Sequence, residues 1–150
     1  MPQSMRFTSF DFDQSKYDSM SSAMEAIDKD VLNGISGLIA VRAVKTSENH
    51  MMVMSTYDSI KSLDEANEAH RSIFAGLAQY MTGAPVIRSG EVVGEVDGKT
   101  SRSDIGYMRF TRVTFEESNF GAIKSYMDDN LAPALDGVTG LSRIRVVRLR

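Results

Sequence analysis

The chain has no cysteine and no tryptophan. Without cysteine, disulfides and thiolate chemistry are excluded, and the fold must hold by packing and hydrogen bonding alone, as suits a reducing cytoplasm. No apolar run approaches the roughly 20 residues of a membrane span, and the opening Met1-Pro2-Gln3-Ser4-Met5-Arg6 lacks the apolar core of a signal peptide. A cytoplasmic protein with no membrane partner is expected. A net charge of -3 supplies no general attraction for phosphate backbones, so no nucleic-acid partner is expected either. The one basic cluster, Arg143, Arg145, Arg148 and Arg150, alternates with Ile144, Val146, Val147 and Leu149, and reads as a strand guarded by arginines.

Metal and phosphate motifs are missing as well. Asp11 with Asp13, and Asp128 with Asp129, lack the spacing and central glycine of a calcium loop, and there is no Cys/His cluster for zinc, so no metal site is expected. Asp97-Gly98-Lys99-Thr100-Ser101 invites a phosphate-loop reading, but that motif needs a glycine five residues before Gly98, where Val93 stands.

What is present is an internal repeat. Residues 5 to 47 recur without a gap, shifted by 103 positions, as residues 108 to 150: Met108-Arg109-Phe110-Thr111 repeats Met5-Arg6-Phe7-Thr8, and Gly137, Gly140, Leu141, Arg145 and Val147 fall on Gly34, Gly37, Leu38, Arg42 and Val44. The 150 residues, 42% apolar and 25% charged, suffice for an ordinary globular core.

Met5 to Phe12 reads as a first strand. Tyr17, Met20, Met24, Ile27 and Val31 then recur at helical spacing, predicting one helix stopped by a left-handed cap at Asn33-Gly34. Leu38 to Lys45 and Met51 to Tyr57 form a predicted hairpin across Thr46 to His50. Ser62-Leu63-Asp64-Glu65 is a capping-box sequence predicting a second helix, with Leu63, Ala66, His70, Ile73, Phe74, Leu77 and Met81 inward. Val86 to Val96 completes the set as a fourth strand, open to a break at Gly90 or Gly94. The predicted organisation is a complete module over 1–97, a linker over 98–106 and a partial strand-helix-strand repeat over 107–150. Such a module is α+β and ferredoxin-like, an antiparallel sheet with both helices on one face. Its other face calls for cover by a second sheet, from the repeat or from another chain.

The run Tyr57-Asp58-Ser59, Ser62-Leu63-Asp64-Glu65-Ala66 and Ala69-His70-Arg71-Ser72-Ile73-Phe74 resembles the dimeric α/β-barrel superfamily, and within it the antibiotic biosynthesis monooxygenase-like domains. The resemblance spans residues 5 to 96 and implies a homodimer. It also implies three kinds of relative: cofactor-free quinone-forming monooxygenases, haem-degrading monooxygenases and proteins without assigned activity. Of the Asn, Trp and His that surround haem in the degrading members, only the His has a counterpart, His70.

His70 is the candidate catalytic residue, as a base toward a phenolic substrate or a ligand to haem iron; the plainer reading is a partly buried histidine hydrogen-bonded for structure. His50, in a polar turn, is expected to be exposed. The expected ligand site is a space between the sheet and the second helix, lined by Tyr57, Asn67, His70, Phe74, Met52 and Met54, the methionines giving a soft apolar wall. Tyr57 and Tyr80 are equally readable as packing residues. The arginine pairs Arg6 with Arg109, and Arg42 with Arg145, read either as carboxylate clamps or as ion pairs inherited by duplication. Three functions follow as expectations: binding of a small hydrophobic or aromatic ligand, a monooxygenase without cofactor or with haem, or a structural assembly unit.

Overall fold

The computed structural model describes residues 1–150, and the side chains of all but Asp104. Five strands are formed: β1 Ser4–Asp11, β2 Leu38–Ser47, β3 His50–Tyr57, β4 Val86–Asp97 and β5 Arg143–Leu149. The helices are α1 Tyr17–Glu25, α2 Lys29–Asn33, α3 Ile60–Glu65, α4 Asn67–Leu77 and α5 Phe120–Leu135. The sheet is antiparallel in the order β2-β3-β1-β4-β5, and in the first unit α1 to α4 pack on one of its faces: an α+β, ferredoxin-like arrangement. Residues 1–91 with 148–150 form one compact unit, and residues 92–147 a second.

In the first unit β1 is central. It pairs with β3 from Ser4 opposite Tyr57 to Asp11 opposite His50, and with β4 from Ser4 opposite Glu91 to Ser9 opposite Val86. Side chains alternate across a strand, so Arg6, Thr8 and Phe10 share the helix face with their β3 partners Ser55, Val53 and Met51. Phe10, Phe12 and Met20 are each at most 2% exposed and form the centre of one core cluster, on which Tyr17, Phe74 and Tyr80 pack. A second cluster gathers Tyr57, Leu63 and Ala66, with Ile35, Leu38 and Ile60 at its edge.

Local chemistry sets the boundaries where they differ from periodicity. The predicted single first helix is two, because Asp28 leaves the helical path and its carboxylate accepts from the Asp30 N–H at 2.8 Å, starting α2 afresh. Residue 131, the repeat's equivalent of Asp28, is leucine, and there α5 runs unbroken for 16 residues. The left-handed stop lies at Gly37 (φ 74°) rather than at Gly34 (φ -75°), and a Cβ at Gly37 would collide with the Ser62 side chain. The second predicted helix begins three residues earlier than the capping box, since Ser59 Oγ accepts from the Ser62 N–H at 3.2 Å. Ser59→Ala should therefore cost about 1 kcal/mol in chemical denaturation, whereas Ser62→Ala should cost less, having no capping hydrogen bond to lose.

The fourth strand is continuous through both glycines. Gly90 is required because a Cβ there would meet the Arg148 carbonyl.

In the second unit the end of β4 carries Glu95 and Asp97, which pair with Arg145 (2.7 Å) and Arg143 (2.7 Å) of β5. Of the repeated arginines, Arg145 thus forms an ion pair, while its counterpart Arg42 lies exposed on β2. The strand predicted to open the partial repeat over 107–150 does not form; α5 and β5 do. β1 is a strand because β3 and β4 flank it, whereas the second unit's other extended segment, β5, is engaged with β4.

Candidate functional site

Between the two core clusters of the first unit lies a cavity of about 430 Å³, within the range of small-molecule sites. Its sheet wall comes from Thr8 of β1, from Met51, Val53, Ser55 and Tyr57 of β3, and from Leu38, Val41 and Ala43 of β2. Its helix wall comes from Tyr17, Ser21 and Met24 of α1, Leu32 of α2, and His70, Ile73, Phe74 and Leu77 of α4. Exposed Glu25, Val41 and Lys45 mark where it opens to solvent, and Lys45 Nζ sits 4.3 Å from the centre of the Tyr17 ring.

The walls are mostly hydrocarbon, and the polar side chains deep in the cavity are few. Thr8 Oγ1 and His70 Nε2 share a hydrogen bond of 2.8 Å. The Phe74 ring lies 4.5 Å from the imidazole, tilted by 34°, and meets Phe10 edge-on at 6.1 Å. Burial, and after it the positive charge of Arg6, pushes the His70 pKa down to about 4, so the imidazole is neutral at physiological pH.

Beside this group Arg6 is 2% exposed. Its Nη2 donates to the Leu63 carbonyl at 2.6 Å and to Asn67 Oδ1 at 2.5 Å, and its Nη1 reaches the Tyr57 hydroxyl at 3.5 Å. The guanidinium also lies 5.5 Å from the Tyr57 ring centre. Burial draws its pKa below the ordinary arginine value, with Tyr57 and Asp64 pulling the other way. Among the described residues Arg6 forms no ion pair, and the Asp64 carboxylate is held by Arg150. Arg6 is thus neither a surface clamp nor half of an ion pair.

Of the expected site residues, the structure brings Tyr57, His70 and Phe74 together on the cavity wall. Asn67 is turned to Arg6 instead. Met52 and Met54 do not line the cavity, because the strand's period of two puts Met51 and Val53 there. His50 lies outside it, 2.7 Å from Asp11. Residues not expected there, Thr8, Val53, Ser55 and Ile73, form much of the wall. Strand parity counted from Tyr57 would have found Val53 and Ser55.

The placement does not suit haem. His70 Nε2, a nitrogen that an axial ligand would offer, is already engaged by the Thr8 hydroxyl, and the ring lies tilted beside Phe74. Among the described residues no cluster of His, Asp and Glu could hold a metal ion, and no helix is long and apolar enough to cross a membrane.

No protein-family model matches the chain, and no curated protein matches it. Solved structures do. A dimeric ferredoxin-like protein from an uncultured marine organism is 17% identical with a TM-score of 0.56, over 66% of this chain and 95% of that one. A protein of unknown function from Nitrosomonas europaea is 16% identical with a TM-score of 0.53, over 63% of this chain and 92% of that one. A monooxygenase of Streptomyces coelicolor, ActVA-Orf6, solved in complex with nanaomycin D, is 8% identical with a TM-score of 0.51, over 60% of this chain and 87% of that one. At these identities the likeness is one of fold, and it is to antibiotic biosynthesis monooxygenase-like, ferredoxin-like structures.

Proposed function

We propose that the protein binds a small hydrophobic or aromatic molecule in the cavity between the sheet and α4. The observation that carries this reading is the cavity itself, about 430 Å³ of mostly apolar space with a short row of polar side chains along one wall. Such a space admits a flat molecule of two or three fused rings and fixes its orientation through one polar edge. The fold it shares with a structure that holds nanaomycin D supports the same reading. The binding unit is a homodimer, as in the dimeric ferredoxin-like neighbour. Sedimentation should then give twice the chain mass of 16.6 kDa, and a monomer at micromolar concentration would count against it.

Binding is tested by titrating the protein with 1-anilinonaphthalene-8-sulfonate and displacing it with nanaomycin D. Saturable fluorescence and competitive displacement are expected. Ile73→Trp, which fills the cavity from the helix side, should weaken both ligands at least tenfold while leaving the far-ultraviolet circular dichroism unchanged. Equal binding by Ile73→Trp and the native chain would place the ligand elsewhere.

A second reading, oxidation of the bound molecule by a monooxygenase that uses no cofactor, draws on the neutral His70 beside the cavity. An imidazole with a pKa of about 4 accepts a proton only from an acidic hydroxyl, which restricts substrates to acidic phenols and enols. Oxygen uptake with such a substrate, lost in His70→Ala, would support it; binding without uptake leaves a binding protein.

A further inference from the structure

We infer that the second unit takes up an extended strand of a partner polypeptide, one carrying two apolar side chains two positions apart and an acidic side chain two positions beyond them. The inference does not depend on the cavity. In the first unit β1 and β2 are not neighbours, because β3 lies between them and pairs with both. Residues 108–150 repeat residues 5–47, and so hold twins of β1, of α1 with α2, and of β2, but no twin of β3. The twin of β2 is β5, the last strand of its sheet, and the twin of β1, residues 108–114, joins no ladder among the described residues. Each therefore has an unpaired edge, and such edges are templates for an added strand.

Packing shows what is missing. The first unit's core joins Phe10, Phe12 and Met20 to Met51 and Val53 of β3. The twins of the first three, Val113, Phe115 and Ile123, are present, yet Val113 is 71% exposed and Phe115 39%, against 2% for Phe10 and 1% for Phe12. No described residue of the second unit is buried. What it lacks is the pair that Met51 and Val53 supply, two apolar side chains on one face of one strand. Arg109 sets the third position. Its twin Arg6 stands opposite Ser55 of β3 and bonds to Tyr57, Leu63 and Asn67, none of which recurs. Arg109 is exposed, with no ion pair or side-chain hydrogen bond among the described residues, so a carboxylate opposite it would complete a charge-assisted pair. The partner strand, running antiparallel to residues 108–114, is thus apolar opposite Val113 and Thr111 and acidic opposite Arg109. Main-chain hydrogen bonds give such strand addition its affinity, and the alternate side chains give it selectivity.

The probe is a dye-labelled, end-blocked peptide of residues 50–57 carrying Ser55→Glu, titrated with the full chain and followed by fluorescence anisotropy. Saturable binding is expected, and none for a peptide of the same composition in scrambled order. The peptide with Ser55 unchanged should bind about threefold more weakly, the worth of an exposed ion pair. In Arg109→Gln the two peptides should bind alike. Val113→Asn, at an exposed position on which folding does not depend, should weaken both about fivefold or more. In the complex, amide hydrogen exchange should slow at residues 108–114 and in β5, and stay unchanged in β1. The inference is overturned if the peptide fails to bind, if the scrambled peptide binds as well, or if Val113→Asn leaves binding intact. Protection appearing at β1 instead of residues 108–114, or a preference for the acidic peptide that survives Arg109→Gln, would also contradict it.

Discussion

Phe10→Ala is expected to destabilise the first unit by about 3–5 kcal/mol, the cost of truncating a fully buried aromatic. Phe10 is 2% exposed near the C-terminal end of β1 and touches both the Met20 cluster and the Phe74 ring. Phe74 also flanks the cavity, so the gap left behind would merge with existing open space and could not collapse without moving α4. Urea unfolding followed by circular dichroism should show a large drop in midpoint with the slope unchanged. A loss under about 1 kcal/mol would mean that Phe10 is not held as described. Phe7→Ala, on the other face of the same strand and only half buried, should cost less.

The second large effect is a loss of stability at acid pH that depends on one residue. His70 has a pKa near 4 in the folded chain against 6.5 for a free histidine, so between those values the unfolded chain binds a proton that the folded chain does not. Stability therefore rises with pH through this window. It is fully present above about 6.5, falls as the pH drops toward 4, and has no further contribution from this group below that. Because the imidazole is only about half buried, the penalty is discounted for solvent screening to about 1–2 kcal/mol. The midpoint of urea unfolding measured at pH 7.5 and at pH 4.5 should differ by less in His70→Gln than in the native chain. Gln also keeps a partner for Thr8. Identical pH dependence in the two proteins would show that His70 is not held neutral by its surroundings.

How far the amino-acid pattern carries can be read at particular residues. The apolar stripe of Tyr17, Met20 and Met24 and the inward positions Leu63, Ala66 and Leu77 were legible because the helical period needs no knowledge of neighbours. The break at Asp28 and the start at Ser59 were not read from periodicity, since each depends on one side-chain oxygen meeting one backbone N–H. His70 was legible as a polar residue on an apolar face, but its partner Thr8 lies 62 positions away and appears only through the pairing of β1 with β3. Met52 and Met54 were drawn into the expected site by composition, although parity with Tyr57 puts them on the other face. Arg6 is the instructive case. Its recurrence as Arg109 suggested a carboxylate partner, whereas the fold surrounds it with a carbonyl, an amide oxygen and a phenol.

Methyl-region NMR of the native chain with 1,4-naphthoquinone tests the central claim most directly, because it reports where a ligand sits without altering the protein. The account predicts saturable shifts confined to the methyl groups that line the cavity, among them those of Met24, Val41, Val53 and Ile73, with Met52 and Met54 unmoved. Shifts at Met52 and Met54 with the cavity methyls silent would contradict it.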